Sequence, residues 1–306
     1  MYKFNKILVG LDQSDMDREL IDAACKMCQL SGSQEVCFMN LIKDYHVPED
    51  LAKEFPDLLG KAIEEREANI RKIVAEEFSC PKVKVTFIVK QGQATKEIMK
   101  FSQEEKVDLI ILGRKNEKEA GGILINRVAR RAACSLLVLP KGHQINFDKI
   151  LVPSDFSDYS KIALEKAQEL SGALDKKPKV VIQNVFQVPS GYHYTGKTYD
   201  EFAEVMEEHA KKDFARFTAE MNLSELDVST IYTLDRDEDI IGYIYKEARK
   251  EQSNLIVIGA KGRTATTALF IGSKAEKLIQ IDSDIPLLVV RPKGKKAGIR
   301  EYLQEL

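Results

Sequence analysis

The segment Gly259–Ser273, GAKGRTATTALFIGS, holds the residue types in this chain best suited to chemistry. Three glycines, Gly259, Gly262 and Gly272, follow the apolar run Leu255–Ile258, and Ser273 stands where a helix should begin. The first N–H groups of a helix lack partners inside it, and the helix dipole is positive there, so an anion is favoured. Gly272 lets backbone approach a ligand with no Cβ in the way. Ser273 can cap the helix or give its hydroxyl to a phosphate. Gly259 and Gly262 offer a similar close approach from the other side. Lys261, Arg263 and Lys274 bring positive charge suited to a phosphate chain. The bland reading is a glycine loop followed by an ordinary capped helix. The segment is neither a Walker loop, since G-x4-G-K-[ST] is absent, nor a dinucleotide fingerprint, since G-x-G-x-x-G is absent.

Positioning such a loop requires a particular architecture, and the chain holds it twice. Lys6–Asp15, KILVGLDQSD, aligns with Lys149–Asp158, KILVPSDFSD, identical at Lys, Ile, Leu, Val, Asp, Ser and Asp. Asp108–Lys115, DLIILGRK, aligns with Asn254–Lys261, NLIVIGAK. A period this long is a duplicated domain rather than a solenoid repeat, and it predicts domains over 1–144 and 145–306.

Each copy alternates short apolar strands with amphipathic helices. In the first, Lys6–Leu11, Glu35–Ile42, Val83–Val89, Val107–Leu112 and Leu136–Leu139 read as strands. In the second, Lys149–Val152, Val180–Phe186, Val228–Tyr232, Leu255–Ile258 and Leu287–Val290 do. Helices fall between them, including a long charged segment, Glu49–Phe78, containing Pro56. This order predicts an α/β chain of two tandem doubly wound domains, each a five-stranded parallel sheet flanked by helices. In such sheets a ligand sits beyond the carboxyl ends of the strands at the switch in strand order. In the second copy those ends carry Pro153-Ser154-Asp155 and Gly259–Gly262. Asp155 would repel a phosphate, so its expected partner is a ribose hydroxyl or a base amine.

Composition bounds the rest. The chain has 306 residues and a formal net charge of -2, without the basic excess that marks a nucleic-acid binder. The N-terminus, MYKFNKILVG, has no apolar signal core, and no apolar stretch approaches the roughly 20 residues of a membrane span. A cytoplasmic protein with no membrane insertion is expected. Five cysteines, all in the first half, suit a reducing compartment. Cys25 and Cys28 form a C-x-x-C with no companion ligands, so no metal site is expected and both are assigned to the core. The four histidines, His46, His143, His193 and His209, follow no catalytic spacing; His193, in an aromatic loop, is the one placed to approach a ligand. No catalytic residue is assigned.

These residues together resemble the universal stress protein family, in its nucleotide-binding form. Gly259-x2-Gly262-x9-Gly272-Ser273 fits that form's G-x2-G-x9-G-[ST] without a gap. Val152-Pro153-Ser154-Asp155-Phe156-Ser157 matches its first-strand signature, and Ile285-Pro286-Leu287-Leu288-Val289-Val290 its last strand. The resemblance implies an adenine nucleotide alpha-hydrolase-like fold and ATP or a related adenine nucleotide as ligand, with Mg or Mn on the phosphates. It implies that Pro153, Ser154 and Asp155 line adenine and ribose, and that Val185 packs on the base. Ile258, Gly259, Lys261, Gly262, Gly272, Ser273, Lys274 and Ala275 would surround ribose and phosphates. It further implies a stress-response role through nucleotide-dependent conformation or partner binding, and an intrachain pseudo-dimer through the last strands; further pairing of two chains into a homodimer is compatible with the sequence and not fixed by it. A slow ATPase and a ligand-independent interaction module are the alternatives. The first copy departs from the form: Gly10-Leu11-Asp12 replaces Pro-Ser-Asp, and Gly113 is followed by Arg114-Lys115-Asn116. Either Asn126-Arg127 or, with a shorter loop, Gly122-Ile123 takes the Gly-Ser position, the second being preferred. No hydroxyl follows in either case, so the first domain is not expected to bind ATP in the usual way.

Overall fold

A parallel strand covered by helices on both faces must be apolar on both faces, and the central strands of this chain are. The structure, a computed structural model, describes residues 3–43, 54, 57–115, 121–171, 177–224, 226–262, 271–281 and 283–292. Arg263, His46, Pro56, Asn116, the first part of the charged segment from Glu49, and the tail beyond residue 292 lie outside the described residues. The chain divides into two compact units, the first reaching Ile145 and the second starting at Asn146.

In the first unit the strands are β1 (Lys6–Leu11), β2 (Glu35–Ile42), β3 (Lys84–Gln91), β4 (Leu109–Arg114) and β5 (Ser135–Pro140). The helices between them are α1 (Met16–Ser31), α2 (Leu58–Glu77), α3 (Ala94–Glu104) and α4 (Gly121–Arg131). The strand order is β3-β2-β1-β4-β5, parallel throughout. The second unit repeats it with β6 (Lys149–Pro153), β7 (Lys179–Phe186), β8 (Asp227–Leu234), β9 (Leu255–Gly259) and β10 (Leu287–Val290). Its helices are α5 (Asp158–Ser171), α6 (Tyr199–Thr218), α7 (Ile240–Lys250) and α8 (Ser273–Gln280). The order is β8-β7-β6-β9-β10, again parallel. The expected α/β architecture of two doubly wound, five-stranded domains is the one observed.

Burial follows strand position. Ile7, Leu8 and Val9 of β1 and Leu109, Ile110 and Ile111 of β4 are fully buried, as are Ile150, Leu151 and Val152 of β6. Of the end strands, β3 and β8 are half-buried along most of their length, whereas β5 and β10 are buried. Cys25 and Cys28 are buried on α1, and the thiol beside Cys25 is that of Cys80, 2.8 Å away, not that of its C-x-x-C neighbour. Burial pushes the Cys28 thiol up to about 12.

At three helix ends side chains or glycine supply what the backbone lacks. Thr198 and Glu201 form a reciprocal capping box at the start of α6. Asp239 accepts from the Gly242 N–H at the start of α7. Gly32 closes α1 in the left-handed conformation, at φ 63°.

The glycine ending β9 has a packing role of its own. A Cβ at Gly259 would lie 2.5 Å from the carbonyl oxygen of Tyr159 and 2.7 Å from its carbonyl carbon, both backbone atoms of α5. Backbone cannot swing aside as a side chain can, so the approach of α5 to β9 requires glycine here. Gly122, on α4, has open space in the Cβ direction. Gly259→Ala should therefore lower unfolding stability by about 1–3 kcal/mol, whereas Gly122→Ala should raise it by about 0.5–1 kcal/mol through helix propensity. Urea titration of the two variants against wild type checks this; equal effects would refute the packing argument.

Candidate functional site

The switch in strand order of the second unit lies between β6 and β9, whose carboxyl ends are Pro153 and Gly259. A cavity of about 620 Å³ opens there. All twelve sequence-assigned residues line it: Pro153, Ser154, Asp155, Val185, Ile258, Gly259, Lys261, Gly262, Gly272, Ser273, Lys274 and Ala275. They come from four separate stretches of chain that only this sheet order brings together.

The loop after β6 is a network of short hydrogen bonds. The Ser160 hydroxyl donates to Asp155 Oδ1 at 2.8 Å and accepts from the Asp155 N–H at 3.1 Å. Ser157 N–H also donates to Asp155 Oδ1, at 3.2 Å. Ser154 Oγ accepts from Phe156 N–H at 3.1 Å, and Phe156 takes the left-handed conformation at φ 61°. Its ring leans on Phe214 and Phe217 of α6, centroids 6.1 and 5.5 Å away. The turn thus holds the Asp155 carboxylate at the cavity wall by its Oδ1 edge.

Across the cavity, Gly262 faces that carboxylate so closely that a Cβ there would lie 2.5 Å from Asp155 Oδ2. Gly272 caps α8 with no side-chain hydrogen bond, and its own N–H donates to the Ala260 carbonyl at 2.7 Å. That bond folds the end of the loop back onto its start. Ser273 and Lys274 are exposed and Ala275 buried in the first turn of α8, where helix N–H groups and the dipole favour an anion. Lys261 is buried, 6% exposed, with its ammonium 6.0 Å from the Tyr159 ring centroid. The arrangement combines a carboxylate edge, apolar walls from Val185, Ile258 and Ala275, and a cationic helix start. It can hold a flat base, polyol oxygens and an anion in that order. The side chains suited to a divalent cation on such an anion are few: Ser273 offers a hydroxyl, and among the described residues no cluster of three His, Cys, Asp or Glu stands ready.

The residues sequence reasoning missed come chiefly from β7 and α6. Gln183 and Asn184 line the cavity, as do Met206, His209 and Asp213. Two polar residues near the end of VVIQNVF, an otherwise apolar strand, were a legible signal. The α6 residues had none, because only the capping box and the Phe156 contact fix which face of that helix meets the cavity. His209, not His193, is the histidine at the cavity; His193 sits exposed in a short 3-10 helix, Tyr192–Thr195.

The first unit keeps the frame and changes the contents. Asp12, Gln13 and Asp17 stand where Asp155, Phe156 and Ser160 stand in the second, and Gln13 shares the left-handed turn, at φ 64°. Asp17 replaces the serine hydroxyl with a carboxylate accepting from the N–H groups of Asp12 and Gln13 at 3.0 and 2.9 Å. Lys115, the counterpart of Lys261, reaches Asp12 at 2.6 Å. Burial alone would raise the Asp12 carboxyl, but the Lys115 bond and Ser14 hold it below its ordinary range. Gly113 is retained, and a Cβ there would meet the Met16 side chain, its sulfur at 2.5 Å. Leu136 pairs with Ile110 as Leu287 pairs with Ile256. The same count back from each strand places Gly121-Gly122 opposite Gly272-Ser273, one residue before the alignment preferred from sequence. The hydroxyl is absent in either register.

A doubly wound α/β domain with its crevice at the topological switch point is the class these features define. The chain belongs to the universal stress protein family, whose model matches residues 3–140 and 146–291. Universal stress protein MJ0577 of Methanocaldococcus jannaschii is 27% identical over 164 residues, covering 49% of this chain and 98% of that protein. The solved universal stress protein of Archaeoglobus fulgidus superposes with a TM-score of 0.59 at 17% identity, over 96% of this chain and 98% of that one. A functionally unknown protein of Pseudomonas aeruginosa gives 0.63 at 16% identity, over 99% and 98%. At these identities the two structures establish shared fold alone.

Asp17 gives the first unit a pH signature. Burial is the largest influence and pushes its carboxyl up to about 6, against an ordinary 3.8. The folded state then binds a proton the unfolded state has released, between about pH 4 and pH 6. Stability from this group is complete below the unfolded value and is lost as pH rises through about 6, by roughly 3 kcal/mol in all. Carboxyl-carbon NMR should show Asp17 titrating near pH 6, and Asp17→Ser should remove that fall in stability. A midpoint at or below 4 would refute it.

Proposed function

We propose that the second domain binds ATP or a related adenine nucleotide, and that this cytoplasmic chain acts in stress response by coupling occupancy of that site to conformation or partner binding. The observation that carries the reading is the convergence of Pro153-Ser154-Asp155 with the glycine-and-serine helix start on one cavity. In this reading the base lies against Val185 and Ile258. The Asp155 carboxylate accepts from the ribose hydroxyls, and Oδ2 faces the cavity-lining Gly262 at a distance that leaves no room for a side chain. The phosphates lie at the first turn of α8, with Ser273 donating its hydroxyl and Lys274 its charge. Mg or Mn on the phosphates would draw its remaining ligands from water, as small hard cations do.

The first domain reads as a partner without a nucleotide. Its Asp12 carboxylate is engaged by Lys115, and it has no hydroxyl opposite Ser273. What it contributes is the fold itself, as an interaction module.

Equilibrium dialysis of ATP against the full chain tests this. Binding should saturate at about one nucleotide per chain, and Gly262→Asp, which sets a second carboxylate against Asp155, should weaken it by about tenfold or more. Equal binding by wild type and variant would remove the site from the reading, and saturation at two per chain would remove the distinction between the domains.

A further inference from the structure

The fold of the first unit pairs two thiols that the sequence keeps far apart. Cys25 lies on α1 and Cys80 in the connection between α2 and β3, and their sulfurs are 2.8 Å apart. That separation is within about 0.8 Å of an S–S bond. The Cys80 sulfur also lies 3.5 Å from the Cys25 carbonyl oxygen, so its side chain is pressed against the helix backbone. Cys28, the C-x-x-C neighbour of Cys25, is one turn along the same helix, where a bond between them would tie α1 only to itself.

Contacts on both sides hold the two sulfurs together. Arg18 of α1 pairs with Glu76 at 2.9 Å and with Glu77, both in the last turn of α2. Ile70 and Val74 of α2 are buried. The Phe78 ring then meets Phe38 of β2 edge-on, with centroids 5.6 Å apart, and Cys80 follows two residues later. Groups held in this way react as though at high concentration. The pair is buried but shallow. Ser79 and Pro81, on either side of Cys80, are exposed, and so is Gln29. Gln29 Nε2 donates to the Cys25 sulfur at 3.6 Å, and Ser79 Oγ is 3.7 Å from it. The sulfurs thus sit one layer beneath exposed polar side chains, within reach of a molecule as small as a peroxide.

The second unit supplies an internal comparison. There the same junction, between α5 and the connection that follows α6, is a hydrogen bond from Gln168 Nε2 to the Asn222 carbonyl. No cysteine occurs in that half of the chain. This packing does not require sulfur, so the thiol pair is an addition to the frame of the first domain.

We propose that Cys25 and Cys80 form a reversible disulfide when the chain meets a hydroperoxide, a redox-responsive staple between α1 and the end of α2. Hydrogen peroxide oxidises the Cys25 thiol to a sulfenic acid and releases one water. The Cys80 sulfur then attacks the Cys25 sulfur, the S–O bond breaks, and the hydroxyl leaves with the Cys80 proton as a second water. The two thiols give up two electrons, which the O–O bond takes. A dithiol reductant restores both thiols by exchange. Burial, ahead of the Cys25 sulfur beside it, pushes the Cys80 thiol up to about 12. Formation is therefore slow, on the order of minutes to hours. The bond joins residues 55 apart in sequence and so restricts the unfolded chain.

The test treats the full native chain with hydrogen peroxide, raised until the half-buried Cys134 is oxidised. Free thiols are then alkylated and the linked peptides mapped by mass spectrometry. The expected link joins Cys25 to Cys80, is retained in Cys28→Ser, is absent in Cys80→Ser, and disappears with dithiothreitol. The linked chain should melt about 5–10 °C higher than the reduced one, and the reductant should reverse the shift. The wild-type map tests the proposal even where a variant folds poorly. Cys25 and Cys80 both still open to alkylation, or Cys25 joined to Cys28 instead, would overturn the pairing. A linked chain with no rise in melting temperature would overturn its action as a staple.

Discussion

The approach of a helix backbone to the end of a neighbouring strand is the constraint on which the second domain depends. Tyr159 begins the α5 segment that lies on β9, and its carbonyl occupies the space where Gly259 would carry a side chain. That contact ties the first helix to the fourth strand across the switch in strand order. It fixes how far apart the loops after β6 and β9 stand, and so the width of the cavity between them. The first domain keeps the same constraint in a softer form, with the Met16 side chain rather than backbone against Gly113. One glycine of the three is therefore a requirement of the fold and survives in both copies. Gly262 and Gly272 serve the cavity: one admits the Asp155 carboxylate, and the other lets α8 start against the Lys261 and Ala260 backbone.

Divergence of the copies follows from that division of labour. Once a site need not hold a ligand, its polar groups must be answered from within. In the first domain Lys115 engages Asp12, and Asp17 takes the two N–H groups of the turn. The left-handed residue after the aspartate remains, because it belongs to the turn and not to the ligand. In the second domain the Ser160 hydroxyl and the Ser157 N–H meet Asp155 at Oδ1. A turn closed by a second carboxylate and a turn closed by a serine hydroxyl are two outcomes of one duplicated sequence.

The fold was legible from sequence because its signals are redundant. Short β-branched apolar runs such as Leu109–Leu112 and Leu255–Ile258, set between helical stretches, read as buried strands, and the repeat supported each from the other. That the twelve assigned residues would gather on one cavity was legible because their spacing is local to the ends of strands. Strand register was less so: counting back from the Leu136–Ile110 pair sets Gly121-Gly122 opposite Gly272-Ser273, one residue from the alignment read from sequence. The contribution of α6 was not legible, because which face of a helix meets a cavity depends on packing partners such as Phe156 with Phe214 and Phe217.

The most direct test of the central claim, one frame with one open site, is a crystal structure of the full chain grown with ATP. Density for the base should lie against Val185 and Ile258, the ribose at Asp155 and the phosphates at the first turn of α8. The corresponding end of β1 and β4 in the first domain, where Lys115 engages Asp12, should be empty of nucleotide. Nucleotide in the first domain, or bound away from the β6–β9 crevice, would contradict it.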